Sequence, residues 1–386
     1  MVTLGALLSA SILALGAGCS NEEDAPSTSA SGAGAAGPSS SGSGSGAAGS
    51  ASSGSAGAGG AGGDGGNQGA AWRTVLDGMD LDGVALSVWG TSPTDVYAVG
   101  GPLGNSGYES LVVHYDGTTW SQLAPGGAQT YWWVSGSSPT DVWMVGEEGR
   151  ISHWNGSTFE EHASGTTATI WGVWAASPDE AWAVGGTPNG GTNAANDIVL
   201  RWDGAAWTPE PLPGAPLGVS LFKVWGTASD NLYVVGEKGT IWHRQGATWS
   251  LESDPGLTQG RLFTVTGCSA AEVYAVGGSA VLRSEGQGFV KVDVALTNLV
   301  NGVACGPSGS VAIVGGGGLK QRLVDGVWVD EFMIMPYDDL HATWTDGAGA
   351  FWAVGGDFFS TPTAGEKRRG IVARFGEGTV ASSITN

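Results

Sequence analysis

Residues 88–101 read VWGTSPTDVYAVGG, and the chain returns to this stretch six more times. It recurs as VSGSSPTDVWMVGE from Val134, VWAASPDEAWAVGG from Val173 and VWGTASDNLYVVGE from Val224. Looser copies are VTGCSAAEVYAVGG from Val265, VACGPSGSVAIVGG from Val303 and TWTDGAGAFWAVGG from Thr343. The starts lie 38 to 51 residues apart. Self-similarity at such a period marks a repeat architecture, in which each copy is one supersecondary unit.

Each unit reads as four short strands. In the first, residues 85–90 form a β-rich run, and Ser92, Pro93, Thr94 and Asp95 supply turn chemistry. Residues 96–99, VYAV, make a second strand, and residues 111–115, LVVHY, a third. Asp116-Gly117 is a hairpin signal before a fourth strand at residues 120–123. The strands are apolar at successive positions, which is expected where both faces are buried. Four-stranded units at this spacing predict propeller blades. The 18 tryptophans fall mostly at repeat positions, such as Trp89, Trp120 and Trp143 and their equivalents, and so belong to the core.

The seventh copy lacks a fourth strand, because residues 376–380 carry no tryptophan. Residues 71–76, AWRTVL, have that strand's signature at the other end of the chain. The expected fold is therefore all-β: a seven-bladed propeller of four-stranded antiparallel blades, with the N-terminal strand completing the last. Closure of this kind removes open sheet edges. Over residues 72–380 the chain resembles the broad WD-repeat, YVTN and Asp-box class of seven-bladed propellers. It looks most like exported bacterial proteins with V-W-G-x-S-P-x-D-V-W-A-V-G and H-Y-D-G-T-T-W units. Its turns depart from the sialidase Asp-box, since Asp116 and Gly117 are adjacent. A propeller fold does not by itself imply a function.

The rest of the chain suggests an address. Residues 1–18 are apolar and small, as in a secretory signal, although no Lys or Arg precedes the run. The LGAGC stretch at residues 15–19 resembles a bacterial lipobox, which implies Cys19 as a lipid anchor. Up to residue 70 the chain is almost all Ser, Gly and Ala, a composition that cannot offset chain entropy and is expected to form a disordered linker. Its coil dimension is roughly 35–40 Å. The propeller is expected over 71–380, with 381–386 as a tail. The net charge of −21 argues against nucleic acid and anionic headgroups as partners and for solubility, here as a monomer held to a membrane through its lipid alone.

Candidate sites follow from breaks in the repeat. Two residues before the first-strand Val, the copies carry Leu86, Trp132, Trp171, Phe222 and Phe263, then Asn301 and His341. These polar replacements stand near the channel mouth, with Asp338 and Asp339 alongside and, after ring closure, Asp80 and Asp82. Such a cluster suits Ca²⁺ or acid/base chemistry; solvated loop carboxylates are the plainer alternative, and no resident cofactor is expected. Three connectors, at residues 100–110, 185–197 and 355–370, are long, and long loops on a rigid scaffold are usual binding elements. The third carries Phe358, Phe359, Lys367, Arg368 and Arg369. His114, His153 and His243 share one third-strand position and are expected to bond turn carboxylates such as Asp95 and Asp141. Cys268 and Cys305 end strands in adjacent blades, and the sequence leaves a disulfide between them open. The reading is a non-enzymatic, surface-displayed lipoprotein, at the outer membrane or cell surface. It would bind an envelope or extracellular protein or a polysaccharide through the long-loop face. The alternative is an extracellular glycan hydrolase or lyase working at the acidic mouth.

Overall fold

Seven sheets form where the seven copies fall. A computed structural model describes residues 69–385 except 79, 106, 194, 215, 333–338, 359–361 and 364. Blade 1 is Val84–Ser92, Asp95–Gly101, Leu111–Tyr115 and Trp120–Gln122, paired in that order from the channel outward. Blades 2 to 6 repeat this order, with innermost strands Tyr131–Ser138, Ile170–Ser177, Leu221–Ala228, Thr264–Gly267 and Val300–Cys305. Blade 7 has Asp339–Thr345, Phe351–Gly356 and Gly370–Gly376, and its outermost strand is Ala71–Leu76 from the N-terminal side. Trp72 faces Phe375 in register, as ring closure requires.

The turns form as their residues dictate. Asp116 Oδ1 accepts from the amides of Thr118 and Thr119, both at 2.8 Å, and Asp203 does the same for Ala205 and Ala206. Gly117 adopts φ +90°, and a Cβ there would stand 2.6 Å from Thr94. The connectors after the second strand are of two kinds, tight and long. Glu147 and Glu237 head tight turns and reach back to the amides of Thr130 and Ser220. At Gly101, Gly186 and Gly356 φ is 152–157° and a long loop begins, whereas Gly278 and Gly316, at the same position of blades 5 and 6, head tight turns.

The core lies between blades rather than at one centre. None of Val96, Tyr97, Ala98 and Val99 is more than 2 % exposed. Tyr97, Val99 and Val112 of blade 1 pack on Tyr131, Val134 and Met144 of blade 2, and the other junctions are built alike. That two-sided burial is why the strands do not alternate in polarity. Each large buried side chain stabilises the fold by about 2–3 kcal/mol.

The Trp-Gly dipeptide explains itself at these junctions. Trp344 of blade 7 lies over Gly90 of blade 1, Trp89 over Gly136 of blade 2, and Trp225 over Gly267 of blade 5. A Cβ added at those glycines would stand 3.0, 2.7 and 2.0 Å from the indole. Blade 5 has Thr266 where the tryptophan belongs, and blade 6 has Cys305 where the glycine belongs. There Cys268 and Cys305 are joined by a disulfide, with Cα atoms 5.0 Å apart. The bridge replaces the missing indole contact.

The C-terminal residues differ from expectation. Instead of a free tail, Ile384–Thr385 pairs in parallel with Trp120–Gln122 as a fifth strand on blade 1. Trp120 Nε1 donates to the Ala381 carbonyl at 3.0 Å, and Thr385 Oγ1 to the Trp120 carbonyl at 3.0 Å. The seam between blades 7 and 1 is thus crossed by both ends of the folded region.

Reducing the Cys268–Cys305 bridge should lower unfolding stability by about 2–4 kcal/mol. Cys268→Thr/Cys305→Gly should lose as much, and adding Thr266→Trp should recover part by restoring the indole contact. Urea unfolding followed by fluorescence checks this; equal midpoints in all forms would contradict it.

Candidate functional site

The long-loop face is tied together. In the blade 1 loop, Asn105 Nδ2 donates to the Glu366 carbonyl at 2.7 Å and Tyr108 Oη to the Gly365 carbonyl at 2.9 Å. Both acceptors belong to the blade 7 loop. Lys367 Nζ of that loop pairs with Asp82 at 2.9 Å, so the two do meet, but as partners of each other. The blade 3 loop is braced in the same way: Thr187 N donates to Asn196 Oδ1 at 2.8 Å, and Asn189 N reaches Glu237 of blade 4 at 3.0 Å.

This corrects two expectations. Two of the three cations in the basic run turn inward: Lys367 is paired, and Arg368 turns back to the carbonyls of Asp357 and Phe358, 3.2 Å each, while Arg369 is exposed. The Arg369 carbonyl accepts from Asp357 N at 2.9 Å. Phe358 is half-buried and its ring lies 5.8 Å from that of His341, so it belongs to the channel lining. Phe359 and Asp338 lie outside the described residues, as does Cys19.

Nor do the described acids, Asp80, Asp82 and Asp339, gather around the imidazole. Asp80 Oδ2 accepts from Asp77 N at 3.1 Å, and Asp339 Oδ1 from Gly317 N at 3.1 Å. His341 Nδ1 donates to the Leu86 carbonyl of blade 1 at 2.6 Å. Asn301 Nδ2 likewise donates to the Leu340 carbonyl of blade 7 at 2.9 Å. Among the described residues no three carboxylate, imidazole or thiol groups converge closely enough to hold a metal ion. The polar breaks in the repeat therefore act as ties from one innermost strand to the next.

Around them the channel is filled. Trp132 packs edge-on against Trp171 at 4.6 Å, Trp171 against Phe222 at 6.0 Å and Phe222 against Phe263 at 5.7 Å. Trp132 also reaches across to His341 at 5.8 Å. Lys223 is buried at the same level. Its Nζ donates to the Trp171 carbonyl at 2.8 Å and sits 4.1 Å from the Trp133 ring centre. Burial pushes the Lys223 ammonium down to about 7. Burial, with the Lys223 charge nearby, pushes His341 down to about 3. Sequence reading passed over Lys223. Its only signal was a cation at an inner-strand position that holds Ser87, Trp133, Gly172, Thr264, Gly302 and Ala342 in the other copies.

The recurring third-strand cations are architectural, as expected. His114 bonds Asp95 at 2.6 Å and His153 bonds Asp141 at 2.8 Å. Arg201 pairs with Glu180 and Arg283 with Glu272 at the same place. His243 meets Asn231 at 2.9 Å there, and Glu252 at 2.7 Å through its other nitrogen. Each imidazole also stacks on the second-strand aromatic, at 4.0–4.2 Å. Burial alone would raise the Asp95 and Asp141 carboxyls; hydrogen bonds from His114 and Thr91, and from His153 and Ser137, outweigh it and hold both below their ordinary value.

No family model matches the sequence, and no curated protein matches it. Solved structures do. YCF48 from Cyanidioschyzon merolae is 16% identical with a TM-score of 0.57, over 79% of this chain and 98% of that one. A structure of YCF48 bound to D1 peptide gives 13% and 0.58, over 80% and 97%. The WD40 β-propeller domain of Doa1 gives 10% and 0.59, over 78% and 96%. At these identities the likeness establishes the propeller fold.

The channel groups set a pH dependence. The unfolded chain protonates His341 below about pH 6.5 and the folded chain only near 3, so this residue's contribution falls as pH drops through that window. Lys223 lowers stability in the same sense from about pH 10.4 down to 7, where only the unfolded chain carries the proton. His341→Asn, which keeps a donor for Leu86, should flatten the slope between pH 6.5 and 4.5. Urea midpoints across pH check this; parallel profiles for the two proteins would contradict it.

Proposed function

We propose that this chain is a non-enzymatic binding module that engages a protein partner through its long-loop face. The carrying observation is the set of ties across the seam: Asn105 to Glu366, Tyr108 to Gly365 and Lys367 to Asp82. They hold the loops of blades 1 and 7 as one surface. A surface ordered beforehand avoids most of the cost of ordering loops on association. The neighbour YCF48 is recorded with a bound D1 peptide, which favours a protein over a polysaccharide as the partner class.

The same proposal places the module outside the cytoplasm. Cys19 would carry the lipid, residues 20–70 would act as the tether, and the blades would stand clear of the membrane surface. The Cys268–Cys305 bridge supports this address, since disulfides persist in oxidising compartments.

The test uses the full chain, cross-linked in an envelope extract, beside a variant in which residues 357–369 are replaced by a tight turn like Glu237–Gly239. A cross-linked protein partner should be retained by the first and lost by the second while both unfold at the same temperature. Equal retention would contradict the choice of face. Cys19→Ala should move the protein from the membrane to the soluble fraction; continued membrane retention would contradict the anchor.

A further inference from the structure

The channel is filled only toward the long-loop face. Its other end, near turns such as the one between Ser92 and Asp95, opens into a cavity of about 250 Å³. Its wall is aromatic on five blades: Trp344, Trp89, Trp133, Trp174 and Trp225, from blades 7, 1, 2, 3 and 4. All five are half-buried, packed on the core of a blade junction. Blades 5 and 6 present Thr266, Ala304 and Cys305 instead. The space exists because the disulfide serves there in place of an indole.

Three features narrow what this cavity suits. First, within the described residues none of these five indole N–H groups donates a hydrogen bond to the protein. Elsewhere Trp120, Trp171 and Trp202 donate to carbonyls at 3.0, 2.7 and 2.9 Å, while the buried Trp132, Trp207, Trp242 and Trp352 also lack an acceptor among the described residues; the five cavity indoles differ in opening onto a shared space that a ligand can enter. An indole N–H is a donor only, so the free ones call for acceptor oxygens. Second, the polar side chains of the wall are hydroxyls, such as Ser135, Thr266, Thr343 and Thr345, and no lining residue is charged. Third, the volume lies below the roughly 300–1,000 Å³ usual for drug-sized ligands, so it suits one small ring.

We propose that this vestibule binds a single neutral sugar ring, free or at the end of a glycan. Ring hydroxyls accept from the indole N–H groups and exchange hydrogen bonds with the Ser and Thr hydroxyls. The apolar C–H face of the ring lies against the indole faces, which offer an apolar body beside a polar tip. The lining holds no cation to draw an anionic ligand in, and the net charge of −21 repels one. This site lies away from the long loops, so it stands whether or not those loops bind a protein.

The test titrates the full chain with D-glucose, D-galactose, D-mannose and N-acetyl-D-glucosamine, followed by tryptophan fluorescence and saturation-transfer NMR. D-galacturonate and a proline-rich peptide serve as comparisons. At least one neutral sugar should saturate. Trp174→Phe keeps the ring and removes the donor, and should weaken binding about tenfold. Thr266→Trp/Cys268→Thr/Cys305→Gly restores the repeat residues, fills the cavity and should abolish binding; its unfolding cooperativity shows that the blades persist. Trimming the blade 7 loop should leave sugar binding unchanged. The proposal is overturned if none of the four sugars saturates, if galacturonate or the peptide binds more tightly, or if either tryptophan-site variant binds as the parent does.

Discussion

Everything in this fold depends on how one innermost strand meets the next. A four-stranded blade with two apolar faces has no stable existence alone. It is stable only between two others, so the junction is the unit of stability. At three junctions the contact is an indole lying on a neighbour's glycine, and at a fourth it is a disulfide. The glycine is required because a side chain there would occupy the indole's space. A short motif, Val-Trp-Gly, thereby encodes a contact between blades rather than anything within one.

A second layer of ties runs nearer the long-loop face. Thr264 donates to the Asn301 carbonyl, Asn301 to Leu340, His341 to Leu86, and Lys223 to Trp171. Val134 N donates to Ser87 Oγ across the junction of blades 1 and 2. Each bond joins two blades where the channel is filled and water is scarce. Burial disfavours the charged forms of His341 and Lys223, so these groups serve best as neutral or weakly charged donors. The same arrangement leaves the opposite end of the channel open, with indoles whose polar edges have no partner among the described residues.

Much of this was legible in the sequence because the repeat writes it seven times. The blade boundaries follow from turn residues, and the closing strand follows from the fourth-strand pattern of Trp72. The cations at His114 and His153 could be read as architectural because a residue that recurs with the repeat serves the repeat. What was not legible is what occurs once. Ile384–Thr385 is too short to carry a pattern, and its partner, Trp120–Gln122, is far along the chain. The acceptor of His341 is a backbone carbonyl 255 residues away, which no side-chain pattern announces. Phe358 and Lys367 look like exposed binding groups in a loop; the fold of blade 7 turns Phe358 onto His341, and ring closure brings Asp82 to Lys367. The cavity arises from what blades 5 and 6 lack, and an absence in two copies is hard to distinguish from drift.

The central claim is that the seven blades close on themselves through Ala71–Leu76, the strand supplied by the N-terminal side. Hydrogen exchange of the native protein tests it most directly. The account predicts that amides of residues 72–76 exchange as slowly as those of their partners in Gly370–Gly376, and that both are released in the same cooperative opening. Rapid exchange at 72–76 alongside full protection of Gly370–Gly376 would contradict it.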